Sequence, residues 1–187
     1  MKSKILVSVI VSVFSGLLCS AAIAGQGGGE EYAFNLKGTG NMYPDTVPDI
    51  DGDGVDDPAI CFDTDLIDLK NNRVVGTATD CLSEITPIGS GLGLIGTTYF
   101  RMPEGTLITR GKTTVQPVLH QTVSATGQEF THITGAAGSG NAIIGGDGKF
   151  ASSTGTSRLS GMVSMADFGG VAGDPIVFDC LFVIKLD

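Results

Sequence analysis

Cys61 and Cys81 lie at equal distances from Asn71, and this symmetry constrains the fold more than any other feature of the sequence. Asn71 stands in a turn-forming Lys-Asn-Asn segment between two stretches rich in β-branched residues. In an antiparallel hairpin that turns there, positions 61 and 81 face each other with their Cβ atoms at disulfide distance. We therefore predict a hairpin over 59–82 and a Cys61–Cys81 disulfide, although a slip of the register would change the pairing.

Further stretches have the same strand-like composition and are separated by turn residues. The segments 91–102 and 106–115 flank Pro-Glu-Gly, and shorter strand patterns occupy 31–36, 129–134 and 176–186. With 28 glycines in 187 residues and no long helical periodicity, short strands joined by turns are favoured over helices. About eight strands at hairpin spacing predict an all-β sandwich or barrel in a single domain.

A glycine-rich corner lies within 141–161. Gly145, Gly146 and Gly148 follow an apolar Ile-Ile pair, and Phe150 begins the segment that leaves the corner. Glycine reverses the backbone without steric cost, so we predict that these three residues set a turn between two strands. The spacing does not fit a phosphate-binding loop, and the predicted role is structural.

The first 24 residues have the composition of a secretory signal. Lys2 and Lys4 precede an apolar run over 5–18, and Ala22-Ile23-Ala24 supplies the small residues of a cleavage site. We predict a signal peptide over 1–24, an N-terminal strand with an acidic loop over 25–58, and the remainder of one β-barrel domain over 59–187. The mature protein is then periplasmic or secreted, without stable insertion in a membrane.

Charge and cysteine usage limit the function. The formal net charge is −9, and no basic patch is apparent, so nucleic acid is not an expected partner. Of the three cysteines beyond the leader, Cys180 falls on an alternating apolar face, where a buried, unreactive thiol is expected.

The most specific chemical pattern lies in the acidic loop, which we predict over 45–57. Counted from Asp49, the side chains of Asp49, Asp51 and Asp53 occupy positions one, three and five, and the Val55 carbonyl and Asp57 follow. Oxygen ligands at this spacing suit Ca²⁺, and the pattern is similar to the helix-free calcium loops of extracellular modules. Position twelve is an isoleucine, which excludes an EF-hand. The alternative is a solvated loop of Asx turns.

Asp63 and Asp65 lie on one face of their predicted strand. Paired carboxylates in a cavity can act as acid and base, but such a row is more often the solvent-exposed face of a hairpin, and we favour that interpretation.

Three segments and a final apolar strand resemble the allene oxide cyclase and dirigent-like barrel family over most of 59–186. The segments are RVVGTATDCL, FRMPEGTLITRG and IIGGDGKFASSTGTSRL. The resemblance implies an eight-stranded antiparallel β-barrel with an apolar lumen, often assembled as a homotrimer. Plant members steer cyclisation or radical coupling of small hydrophobic molecules, whereas exported bacterial relatives are mostly of unassigned function.

The first strand differs from the pattern of the plant cyclases, which hold a water molecule with a Glu and an Asn two residues later. Asn35 is retained, but Ala33 stands at the Glu position, and Glu31 would serve only if the alignment shifted. Asn35 and Glu31 are thus the implied catalytic candidates. The acidic loop is absent from the plant cyclases and suggests a bacterial branch.

Three functions follow as hypotheses. The favoured one is a Ca²⁺-stabilised exported barrel that binds a hydrophobic small molecule or a partner. A cyclase or isomerase acting in the lumen is the second, and a structural or surface-interaction protein with a filled lumen is the third. Whether the protein is an enzyme stays open at this point.

Overall fold

The computed structural model describes residues 29–136 and 142–187. The predicted signal peptide, 1–24, lies outside the described residues, as does Asn141 within the predicted corner. The described residues form ten strands and one 3₁₀ turn. These are β1 (Glu31–Asn41), β2 (Tyr43–Val47), β3 (Asp57–Asp68), β4 (Arg73–Ile88), β5 (Gly91–Met102), β6 (Gly105–Val123), β7 (Glu129–Ala136), β8 (Ala142–Gly146), the 3₁₀ turn Gly148–Phe150, β9 (Gly155–Ser164) and β10 (Pro175–Leu186).

The sheet closes on itself because β1 pairs on both sides. It runs antiparallel to β10 along its whole length and antiparallel to β3 over 34–37. The order around the barrel is β1, β10, β9, β7, β6, β5, β4 and β3. This confirms the predicted all-β, eight-stranded antiparallel barrel.

Two of the ten strands, β8 and β2, do not increase the number of strand positions around the barrel. β7 and β8 both pair with β6 and β9, so they share one position in the circle. β2 lies along β3 beyond the segment that pairs with β1. The acidic loop was predicted to start at Asp45, but that residue belongs to β2, and the loop spans 48–56.

The β3–β4 hairpin has the register that the cysteine spacing predicted. Cys61 faces Cys81, and Asp63 and Asp65 face Thr79 and Thr77. The Cys61–Cys81 disulfide is formed, with an S–S distance of 2.06 Å. The register shifts by one residue between Leu66 and Ile67, so the symmetry about Asn71 predicted the disulfide pairing but not the exact centre of the turn.

Aromatic side chains pack across the lumen. Phe100 contacts Phe34 and Phe182 with ring centroids 6.0 and 5.2 Å apart, and Phe62 contacts Phe178 at 5.0 Å. Such pairs stabilise a core beyond the apolar area that they bury. Much of the barrel interior is therefore filled by the protein's own side chains.

The glycine-rich corner combines a strand end with a tight turn. Gly145 and Gly146 end β8, and Gly148 begins the 3₁₀ turn with a φ of +53°. A Cβ atom at Gly148 would lie 2.4 Å from the Glu104 carbonyl oxygen, so both conformation and close approach require glycine there. Phe150 follows with only 1% of its surface exposed and joins the core.

Candidate functional site

A cavity of about 30 Å³ lies in the lumen, where two inward positions carry no side chain. Gly96 on β5 and Gly111 on β6 face each other in the register and both line this cavity. The surrounding wall is apolar, with a row of threonines on one side. Its apolar part includes Phe62, Leu82, Leu94, Val115, Leu159, Val163, Met165, Ile176, Phe178 and Phe182.

Asp80 places a carboxyl group in this wall. It alternates on β4 with Ala78 and Leu82, which also point inward, and it is only 4% exposed. The neighbouring position on β5 is Thr98, whose hydroxyl donates a 2.6 Å hydrogen bond to Asp80 Oδ1. Among the described residues, Thr98 is the only hydrogen-bonding partner of this carboxyl group, which leaves Oδ2 without one.

Burial controls the ionisation of Asp80. Removal from water disfavours the carboxylate and raises the pKa of Asp80 to about 7, while the Thr98 hydrogen bond acts in the opposite direction. Within 29–136 and 142–187, no charged side chain compensates the carboxylate. Below neutral pH the side chain is therefore a neutral carboxylic acid, able to donate a hydrogen bond as well as accept one.

Cys180 is buried in the same interior, as its alternating position on β10 predicted. Burial raises the pKa of this thiol well above its ordinary value, and the nearby Asp80 acts in the same direction. A protonated, enclosed thiol is a poor nucleophile, so Cys180 acts as a packing residue.

Asp80 was not among the residues predicted from the sequence, although the strand pattern contains a signal for it. In the predicted hairpin register Asp80 faces Phe62, one position away from the disulfide, and therefore lies on the apolar face. A single acidic residue in phase with apolar neighbours is the pattern that marks a buried polar group.

The acidic loop brings three carboxylates together outside the barrel. Oxygen atoms of Asp49, Asp51 and Asp57 lie within 4.8 Å of one another. Asp49 accepts backbone hydrogen bonds from Gly54 and Gly52, at 2.8 and 2.6 Å, and these lower its pKa. Asp51, Asp53 and Asp57 also accept backbone hydrogen bonds, from the N–H groups of Asp53, Val55 and Ile50, which is the pattern of a loop of Asx turns. Three of the five predicted ligand residues thus converge.

Arg110 fastens this loop to the barrel. From β6, its guanidinium donates to the carbonyl oxygens of Pro48 and Asp49 and to the Thr97 hydroxyl. Beneath the loop, Val47 packs with the disulfide in a small apolar cluster that is separate from the lumen. Ile50 of the loop packs against this cluster together with Tyr43 of β2, and both cysteines are at most 1% exposed.

The four residues predicted as catalytic candidates lie outside the lumen. Glu31 and Asn35 alternate with the buried Phe34 and therefore face outward, and the Asn35 amide donates to Asp179 at 2.9 Å. Asp63 and Asp65 are exposed, and Asp63 accepts hydrogen bonds from Tyr43 and Thr79. None of the four lines the lumen cavity. Chemistry inside the lumen would need other residues.

No family model matches the chain, and no curated protein matches it significantly. In the described parts of the chain, no helix is both long and apolar enough to cross a membrane. Disulfides persist in non-reducing environments. The fold and the disulfide therefore define a class, a small disulfide-bonded β-barrel consistent with an exported protein.

Proposed function

We propose that this protein is an exported binding barrel that takes one small, mainly apolar molecule into its lumen and is stabilised by Ca²⁺ in the acidic loop. The observation that supports lumen binding is a cavity with an apolar wall and a single carboxyl group, that of Asp80. Ligand sites typically combine such walls with a few placed polar groups. In a barrel with only a structural role, a buried acid would lower the stability without a compensating function.

The size of the cavity limits the ligand. About 30 Å³ has room for about two water molecules, so a larger molecule must displace a side chain. Met165 lines the cavity, and a flexible thioether can move at low cost. We therefore infer a compact ligand, or one that inserts only one end.

The other two hypotheses have less support. A lumen-acting cyclase that relies on Asn35 or Glu31 conflicts with their outward direction. The aromatic packing favours a structural or surface-interaction protein with a filled lumen, and this remains the second candidate.

Filling the cavity is expected to abolish lumen binding. Val115 is 4% exposed and lines the cavity, so Val115→Phe puts a ring into the space that a ligand would occupy. Methyl NMR with small cyclic probes such as cyclopentanone should shift resonances of Leu82, Leu94 and Ile176 in the wild type and leave them unchanged in Val115→Phe. Mass spectrometry of an organic extract would identify a copurified ligand.

The control for this variant is Val74→Phe, the same change at a position that is 59% exposed. It should bind the probes like the wild type. Wild-type protein that shows no probe-dependent shift of lumen methyl groups and no copurified molecule would favour the structural hypothesis instead.

The calcium part of the proposal is supported by convergence and charge. Three carboxylates within 4.8 Å repel one another, and a divalent cation would remove that repulsion. Asp49, Asp51 and Asp57 would supply the side-chain ligands, and Arg110 would transmit the ordering of the loop to β6.

Chelation is therefore expected to lower the melting temperature. Calcium at a hundred times its Kd stabilises a folded protein by about 2.7 kcal/mol, which is about 5–10 °C for a domain of this size. Calorimetry with EDTA and then with excess CaCl₂ measures the shift. Asp57→Asn should remove most of it, whereas Asp167→Asn, at an exposed residue outside the acidic loop, should not. Equal melting temperatures with and without calcium would contradict the assignment.

A further inference from the structure

We propose that Asp80, positioned by Thr98, recognises the oxygen atom of an uncharged and otherwise apolar ligand, such as a ketone or an aldehyde, by donating a hydrogen bond from its carboxyl group. This inference rests on the proposed lumen binding and assigns it a ligand class. The group that carries it is a 4% exposed side chain with one carboxyl oxygen unpartnered among the described residues, set in the wall of the cavity.

The hydrogen-bond directions assign the roles of the two carboxyl oxygens. Because the Thr98 hydroxyl donates to Oδ1, that oxygen acts as an acceptor. In the protonated acid the proton then resides on Oδ2, the oxygen that has no partner in the part of the chain that the structure describes. Among the described residues, the fully buried polar side-chain atoms without a partner are Thr64 Oγ1 and Ser157 Oγ, so Asp80 Oδ2 keeps a small accessible surface. A ligand oxygen in the cavity would take the place of water as the acceptor of the Oδ2 proton.

The neighbours of Asp80 favour a neutral ligand. The elements around it present Phe62 from β3, Thr98 from β5, Thr109 from β6, and Phe178 and Cys180 from β10. Of these only Cys180 titrates, and its pKa is raised, so the thiol stays uncharged. The Asp80 pKa of about 7 keeps the acid neutral at mildly acidic pH. An ammonium ligand would have to lose its hydration in this apolar lumen.

The test compares two probes of nearly the same shape, cyclopentanone and methylenecyclopentane. Both are titrated into wild-type protein at pH 5.5 and pH 8.5 and followed by methyl NMR. At pH 5.5 the ketone should bind at least about tenfold more tightly than the alkene, as expected for one hydrogen bond. At pH 8.5 the affinity of the ketone should fall by about tenfold, to that of the alkene, because only about one protein molecule in thirty keeps the protonated acid, while the alkene should change little.

Two variants separate recognition from folding. Asp80→Asn keeps a donor that does not titrate, so the ketone should bind equally well at both pH values. Asp80→Leu should bind both probes with similar affinity at both pH values. Asp65→Asn, on the exposed outer face, should behave like the wild type.

The other possible outcomes distinguish a wrong role for Asp80 from the absence of lumen binding. Equal affinity of the wild type for both probes at pH 5.5, or preference for cyclopentylammonium at pH 8.5, would overturn the role of Asp80 and leave lumen binding intact. Failure of every probe to shift a lumen methyl group would overturn lumen binding itself and this inference with it.

Discussion

Replacing Asp80 with asparagine is expected to remove a large pH dependence from the stability of the barrel. The pKa of Asp80 is about 7 in the folded protein and close to an ordinary carboxyl value of about 3.9 in the unfolded chain. The folded state therefore holds a proton that the unfolded state releases between these two values. Stability is present in full below pH 4 and is lost as pH rises to 7, because the unfolded state gains by ionising.

The size of this loss follows from the difference in pKa. About three pH units correspond to about 4 kcal/mol of unfolding free energy above pH 7. Urea unfolding of the wild type and Asp80→Asn, followed by circular dichroism at pH 4, 6 and 8, measures it. The stability of the variant relative to the wild type should rise by about that amount across the series.

Comparing two proteins that differ at one residue cancels the contributions of other carboxylates. Asp49, whose backbone hydrogen bonds lower its pKa, acts in the opposite direction and is present in both. Asp65→Asn, on the exposed face of β3, serves as the matched control and should follow the wild type at every pH. Parallel stability curves for Asp80→Asn and the wild type would show that the carboxyl group is not buried as described.

The predictable parts of the fold depend on the alternation of apolar and polar residues along a strand and on short turns between neighbouring strands. The Cys61–Cys81 register needed only a turn at the centre of a hairpin, and the buried face of β10 followed from its alternating apolar residues. Both depend on side-chain period and short loops, which sequence expresses directly.

Other features depend on contacts between distant segments. The β1–β3 pairing closes the barrel. β2 forms because Tyr43–Val47 pairs with the part of the β3 edge that β1 leaves free. Arg110 reaches the carbonyl groups of a loop 61 residues away. Local propensity does not encode these contacts. From the sequence alone, the whole acidic segment is therefore predicted to be a loop.

The candidate site was predictable only in part. The spacing of the aspartates indicated the acidic cluster, since its ligands come from one short loop. The lumen cavity depends on Gly96 facing Gly111 across two strands, and on the rotamers of the surrounding side chains. Strand patterns do not specify those rotamers.

Removing the disulfide is the second change with a large expected effect. The double variant Cys61→Ala/Cys81→Ala should lose about 3 kcal/mol of unfolding free energy, because the cross-link restricts a separation of 20 residues in the unfolded chain. Urea unfolding with circular dichroism measures this. An effect below about 1 kcal/mol would mean that the unfolded hairpin is already compact without the bond.

The position of the disulfide beneath the acidic loop also predicts how it reacts. Both cysteines are at most 1% exposed, and Arg110 holds the covering loop in place. Dithiothreitol should therefore reduce the native protein slowly, and Arg110→Leu should accelerate reduction by loosening the cover, as thiol labelling and mass spectrometry would detect. The exposed Arg158→Leu is the control. Equal rates in all three proteins would show that opening of the hairpin, rather than of the loop, admits the reductant.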